Sequence, residues 1–327
     1  MNFMKYSPTR LLFGAGQLNN LREQKLPGKK ALVVISNGKS TKENGYLQRC
    51  EEELNAAGVE IVLFDKVEAN PLKSTVMAGA KCARENNCDF VVALGGGSVM
   101  DASKAIASMA TNDGDLWDYI NGGTGKGQSL LNNPLPVVAI TTTAGTGSEV
   151  DQWGVVTNEE TNEKIGFGGL DSLYPVLAIV DPELMKSVPA KFTAYQGFDA
   201  LFHSVECYIS VAANLMSDMY ALTSIENIGK YLERAVKDGN DIEAREHMAF
   251  ANTLSGTVMT ISACTSEHSM EHAMSAYHQD LPHGAGLIML SKEYYKHFIN
   301  QHVCDDKFIN MAKALGMENA KSPEDFI

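Results

Sequence analysis

A short apolar run that ends in a cluster of glycines is the tightest constraint on how this chain folds. Phe90-Val91-Val92-Ala93-Leu94 leads straight into Gly95-Gly96-Gly97-Ser98, and a helix is predicted to begin near Asp101, with its clearest pattern over residues 102–110. Glycines where a strand turns into a helix let the backbone approach a ligand closely, and the helix start offers N–H groups with no intrahelical partner. This is the outline of a pyrophosphate turn, although the spacing is not GxGxxG. The same alternation recurs around it. Residues 31–35 form a β-rich run followed by Ser36-Asn37-Gly38, and residues 46–57 read as an amphipathic helix closed by Gly58. Residues 59–64 read as a strand, 72–86 as a helix and 137–141 as a strand that opens into Thr142-Thr143-Ala144-Gly145-Thr146-Gly147-Ser148. Strands alternating with helices through short joins predict parallel pairing in a doubly wound sheet. Two loops rich in glycine and hydroxyl groups at one edge of that sheet make a ligand cleft.

The pattern changes near Asp181-Pro182. From Lys186 onward, long helical patterns dominate and β-branched alternation thins out. The boundary is therefore set near residue 185: an α/β dinucleotide-binding domain over 1–185, then an all-helical domain over 186–327. Near the end, residues 307–315 read as a helix stopped by Gly316. Ser322-Pro323-Glu324-Asp325 then supplies an N-cap, a first-turn proline and two acids with almost no helix behind them. The expectation is that the helical domain is cut short there.

A chain of 327 residues with 44% hydrophobic content is too large for one small core. The net charge of −13 argues against a nucleic-acid surface, which needs clustered Lys and Arg. The six cysteines are scattered without a CxxC pair, so no thiolate zinc site is expected, and free thiols in a reducing cytoplasm are. Residues 1–10 do not read as a signal peptide, and no apolar run reaches membrane length.

Asp199 and His203 lie four residues apart, as do His268 and His272, so each pair shares a helix face. His278 and His283 follow, the latter in Pro282-His283-Gly284. Four of the eight histidines thus fall between 268 and 283. A carboxylate with imidazoles suits Fe²⁺, Zn²⁺ or another divalent first-row ion. Each piece also has a plainer reading, as a core histidine, a helix cap or a surface pair. His247, His297 and His302 lack such partners.

Taken in order, these segments resemble the iron-containing (group III) alcohol dehydrogenase family over nearly the whole chain. Pro8-Thr9-Arg10 with Phe13-Gly14-Ala15-Gly16 is similar to its opening. Gly95-Gly96-Gly97-Ser98 with Asp101 and Lys104 matches GGGSxxDxxK, and residues 142–149 match TTAGTGSE. Asp199-Ala200 with His203 and Glu206 resembles DAxxHxxE, and the two histidine motifs follow at His268–His272 and Pro282-His283-Gly284. The resemblance implies a dehydroquinate synthase-like fold, with Asp199, His203, His268 and His283 as metal ligands and His272 beside the nicotinamide as a proton relay. It implies cofactor contacts at Ser36, Asn37, Asn70, Gly96, Gly97, Ser98, Asp101, Thr142, Thr143, Thr146 and Lys164. The implied reaction is hydride transfer between NAD(P)(H) and a small alcohol or aldehyde, with Fe²⁺ or Zn²⁺ polarising the substrate oxygen. A homodimer is implied too, with no nucleic-acid or membrane partner.

Three departures qualify the match. An acidic residue often ends the family's first strand, where it bonds the ribose; here Ser36-Asn37-Gly38-Lys39 leaves no carboxylate to repel a 2′-phosphate, which favours NADP(H) over NAD(H). Thr141 replaces a proline. Family members also continue for some tens of residues past this end. The alternative function is a metal-dependent lyase of the dehydroquinate synthase type, but residues 268–283 carry no Lys or Arg for an anionic substrate. A binding protein without catalysis is a third reading.

Overall fold

The computed structural model describes residues 2–327, and the chain packs as two compact units. The first comprises Ser7–Thr143 and Ser148–Ser187; the second comprises Val188–Ile327 together with Ala144–Gly147 and the described residues before Ser7.

The first unit is built on a parallel sheet. Its strands are β1 (Arg10–Phe13), β2 (Lys30–Ser36), β3 (Glu60–Val67), β4 (Phe90–Gly95) and β5 (Val137–Thr141). An antiparallel hairpin, β6 (Trp153–Asn158) and β7 (Glu163–Gly168), precedes the last sheet strand, β8 (Leu177–Val180). The sheet order is β1-β8-β5-β4-β2-β3, and every neighbouring pair is parallel. Apolar side chains point to both faces, as a sheet covered on both sides requires. Leu32, Val34, Val91, Ala93 and Ala139 enter one core, and Ala31, Val33, Ile35, Val92, Leu94 and Val138 enter the other. The helices are α1 (Ser40–Glu43), α2 (Tyr46–Ala56), α3 (Lys73–Glu85) and α4 (Gly97–Thr111). Strand order reverses between β2 and β4, so the ends carrying Ser36 and Gly96 lie side by side at the switch point, where such sheets bind ligands.

Two local expectations need correcting. Helix α4 starts at Gly97, with an extended Gly96 as its N-cap, and not near Asp101. The first turn of a helix has no intrahelical N–H bonds to satisfy, so Gly97 and Ser98 can occupy it at little cost. Strands β1, β6, β7 and β8 went unread: β1 and β8 span only four residues, and glycine and polar residues interrupt the apolar runs of β6 and β7.

A buried cation ties α4 to the hairpin. Lys104 Nζ donates to Ser148 Oγ (2.8 Å), Asp151 Oδ1 (2.8 Å) and the Trp153 carbonyl (2.6 Å). Ser148 in turn donates to Asp101 Oδ1 (2.8 Å), whose other oxygen accepts from Val155 N (2.9 Å).

The second unit is helical: α5 (Ala190–Ile209), α6 (Leu215–Lys237), α7 (Ile242–Met259), α8 (Glu267–Tyr277), α9 (His283–Asn300) and α10 (Asp305–Ala314). Phe202, Val205, Ile225, Met248, Leu287, Tyr295 and Phe308 form its core. The helix start at Ser322 becomes a single 3-10 turn, Pro323–Phe326, with Phe326 packed on Tyr295 and Phe308. Gly147 sits at φ 65°, and a Cβ there would lie 2.4 Å from Gly256 Cα, so only glycine fits.

Lys104→Met leaves the Asp151 carboxylate buried without its cation. The expected loss is about 3–5 kcal/mol of stability, read from the urea midpoint, with Lys104→Met/Asp151→Leu recovering much of it. A single variant as stable as the parent protein would show that the pair does not hold the hairpin.

Candidate functional site

Asp199, His203 and Glu206 lie on one face of α5 because they are four and three residues apart. All three are buried. Helix α8 brings His268 and Glu271 to the same region, and His283 opens α9. Asp199 Oδ1 is then 3.3 Å from His203 Nδ1, 3.4 Å from His268 Nε2 and 3.6 Å from His283 Nε2. Donor atoms of Asp199, His268 and His283 form one group within 4.8 Å; those of His203, Cys264 and His268 form a second. A third group comprises Glu271, His272 and His283. His278 is exposed at the end of α8 and joins none of them.

The donors fit a divalent ion on two structural grounds. First, two ligands about 2.1 Å from a tetrahedral ion stand about 3.4 Å apart, and the Asp199–imidazole separations bracket that value. Second, the far nitrogens are already engaged: His268 Nδ1 bonds the Glu206 carboxylate and His283 Nδ1 bonds the Glu271 carboxylate. A carboxylate behind each imidazole fixes the ring and leaves Nε2 aimed at Asp199, as around bound metal ions. Glu206 is itself held by Thr265 Oγ1 and the backbone N–H groups of Glu267 and His268. His203 Nδ1 is buried and makes no hydrogen bond, a cost that coordination would remove.

Charge follows this layout. Burial alone would lower the His268 pKa, but its bonds to Asp199 and Glu206 outweigh it and push the value up to about 10. Burial, reinforced by the neighbouring His268, takes His203 down to about 3. Burial works against the Asp199 carboxylate, yet His203, His268 and His283 hold it well below the usual range. His272 is half-buried beside His283, with ring centroids 5.5 Å apart.

The other candidate residues divide between the units. Gly96, Gly97 and Ser98 form the start of α4, which has no side-chain cap. A Cβ on Gly96 would meet Thr143 Oγ1 at 2.9 Å, so the loops after β4 and β5 touch. Thr142 N donates to the Gly95 carbonyl (2.9 Å). Thr146 belongs to the helical unit, where the neighbouring Gly147 N donates to Asn252 Oδ1 (2.8 Å). Lys164 Nζ donates to Asn70 Oδ1 (3.0 Å), and Asn70 adopts φ 60°. Ser36 and the exposed Asn37 end β2. Asp101 commits both oxygens to Ser148 and Val155, and burial raises its pKa to about 6 against the pull of Lys104. No role was read for Glu206, Glu271 or Cys264 from sequence. The glutamates did leave a signal, each three residues after a candidate ligand; Cys264 left none.

Residues 8–182 match the model for iron-containing alcohol dehydrogenases, and residues 193–327 match the C-terminal model of the Fe-containing alcohol dehydrogenase family. The chain belongs to the iron-containing alcohol dehydrogenase family. It is 38% identical to a 1,3-propanediol dehydrogenase of Klebsiella pneumoniae over 94% of this chain and 78% of that one. It is 36% identical to the NADH-dependent butanol dehydrogenase A of Clostridium acetobutylicum, over 90% of this chain and 75% of that one. Among solved structures, an archaeal alcohol dehydrogenase from a Red Sea brine pool superposes with a TM-score of 0.91 at 38% identity, covering 96% of this chain and 80% of that one. These relatives support an oxidoreductase and not the lyase alternative.

Two outcomes are expected. Glu271→Gln should weaken divalent-ion affinity about 10–100-fold in competition with a chelating dye; unchanged affinity would mean that the His283 ring needs no partner. Metal uptake at pH 8 should also release at least one proton, because His268 is protonated below about 10 and a ligand must be neutral. Affinity therefore rises with pH up to that value. Calorimetry in two buffers of different ionisation enthalpy counts the protons, and a count of zero contradicts the assignment.

Proposed function

We propose that the chain is a metal- and nicotinamide-dependent oxidoreductase interconverting a small alcohol and its aldehyde, the α/β unit holding the dinucleotide and the helical unit the ion. The convergence of Asp199, His268 and His283, each imidazole backed by a buried glutamate, carries this reading. Asp199, His203, His268 and His283 would hold the ion. When bound, the ion polarises the substrate oxygen and the nicotinamide carries the hydride.

The chain's own residues then have defined tasks. The backbone N–H groups of Gly97 and Ser98 at the uncapped start of α4 bind pyrophosphate, and Gly96 lets it approach. Thr142, Thr143 and Thr146 supply hydroxyls, and the Asn70–Lys164 pair holds a further wall of the dinucleotide site. Asp101 acts on the cofactor indirectly, by fixing Ser148 and β6. His272, half-buried next to His283, passes the alcohol proton towards solvent.

Cofactor choice rests on the end of β2. Ser36-Asn37-Gly38-Lys39 presents no carboxylate, and Lys39 is exposed, so the reading is NADP(H). The relative named as NADH-dependent does not favour that choice, which stands on this chain's residues alone. The ion is Fe²⁺ or Zn²⁺, both of which suit the donors. A homodimer and a reducing, cytoplasmic setting complete the proposal; all six cysteines are free. No helix among the described residues is long and apolar enough to cross a membrane.

The test is nicotinamide absorbance. Protein loaded with Fe²⁺ or Zn²⁺, given butyraldehyde and NADPH, should consume the reduced cofactor, with a higher kcat/KM than with NADH. Asp199→Ala should lower kcat/KM by about 10²–10³-fold. No turnover of any short aldehyde with either nicotinamide overturns the proposal, and a preference for NADH overturns its cofactor half.

A further inference from the structure

We propose that Trp153 contacts the cofactor, its indole forming the apolar bed against which the nicotinamide half of the dinucleotide lies. The inference rests on the dinucleotide reading above and assigns one side chain to one half of that ligand.

Exposure separates the two tryptophans of the chain: Trp117 is 6% exposed and Trp153 is 42% exposed. A lone exposed aromatic is ordinary on a protein surface, but this one is held firmly. Trp153 N donates to Asp151 Oδ1 (2.8 Å), and its carbonyl accepts from the buried Lys104 Nζ (2.6 Å). The outer edge of its six-membered ring rests on Gly169, where a Cβ would stand 3.0 Å from the indole. The same ammonium reaches Ser148 and, through it, Asp101 in the second turn of α4. The ring is thereby registered against the helix whose start receives the pyrophosphate in the proposed function.

The β6–β7 hairpin shows which groups share the ring's face. Directly opposed residues of an antiparallel pair point to the same side. Trp153 stands opposite Gly168, Val155 opposite Gly166 and Thr157 opposite Lys164. The alternate set, Val156, Ile165 and Phe167, packs into the first core of the α/β unit. The outward face therefore runs from the indole to Lys164, whose ammonium bonds Asn70 in the loop after β3. Between these ends, two cross-strand glycines leave β7 bare. Glycine inside a strand weakens it and often marks close approach by a ligand or another backbone. Gly166 is exposed and Val155 half-buried, so a shallow apolar floor lies open beside the ring.

Sheet order decides which half of the dinucleotide this floor takes. In the proposed function the pyrophosphate lies at the start of α4, directly after β4, and the ribose that carries the 2′-phosphate lies at the end of β2. Strand β2 borders β4 on one side and β5 borders it on the other. Trp153 follows the loop that leaves β5. The half of the ligand pointing away from β2 is the nicotinamide half. A flat ring with a single amide packs well on an aromatic surface and asks for few hydrogen bonds.

Calorimetry on the full chain with two ligands tests the assignment. One ligand is NADP⁺ or NAD⁺, whichever the parent protein binds more tightly. The other is the matching ADP-ribose, with or without the 2′-phosphate, which lacks the nicotinamide. Trp153→Ala should weaken the dinucleotide about 5–100-fold, the loss of one stacking contact, and leave the ADP-ribose affinity unchanged. Trp153→Phe should recover most of the loss. Acrylamide quenching supplies a readout that a merely structural role would not move. In the parent protein the dinucleotide should shield the quenchable tryptophan and the ADP-ribose should not, while Trp153→Phe, left with the buried Trp117, quenches little throughout. Trp153→Leu takes the place of the alanine variant if that variant does not reach the native circular dichroism spectrum. Equal weakening of both ligands, no weakening of either, or no shielding by the dinucleotide overturns the inference and leaves the dinucleotide site standing. A parent protein that binds neither NADP⁺ nor NAD⁺ overturns both.

Discussion

Four carboxylates enclosed in one helical core are the constraint on which the second unit depends. Asp199, Glu206, Glu267 and Glu271 are all buried, and an uncompensated charge in such a place costs several kcal/mol. Glu267 escapes by staying protonated: burial raises its pKa to about 8 even though Tyr295 donates to it. The other three have imidazoles against them. His268 lies between Asp199 and Glu206, and His283 joins Asp199 to Glu271. Without an ion, the charge on His268 is what offsets this group of carboxylates. A divalent cation would do the same with a larger charge, and folding and metal binding would then draw on one set of contacts.

The α/β unit resolves a similar problem with a permanent cation. Asp151 is buried and Asp101 partly buried beside it, and desolvation pushes both pKa values up. Lys104 and Ser148 join them and anchor the β6–β7 hairpin to α4. Because α4 is also the helix whose start receives the pyrophosphate in the proposed function, the ion pair is a positioning device for that loop. The β6–β7 hairpin also carries Lys164, whose bond to the left-handed Asn70 extends the same order to the loop after β3.

Much of this was legible in one dimension. The strands at residues 31–35, 90–94 and 137–141 were visible because a sheet covered on both faces demands uninterrupted apolar residues. Asp199 with His203 was visible because the helix repeat puts i and i+4 together. Other features were hidden for equally physical reasons. Four-residue strands have no measurable period, so β1 and β8 left no trace. The orienting role of Glu206 and Glu271 needs the partner imidazole, which comes from 62 residues away in one case and 12 in the other.

The sequence alone determined the parallel sheet, the helical second half, the glycine turn at the strand end and the residue types for a divalent ion, because each depends on neighbours within one strand or one turn of helix. Only the tertiary structure decided which nitrogen of each imidazole is free, that Asp101 is committed to Ser148 and Val155, and that the TTAGTGSE segment divides between the two units. Ligand sets are defined by distances of a few ångströms between side chains, and spacing along the chain fixes such distances only when the donors share a helix.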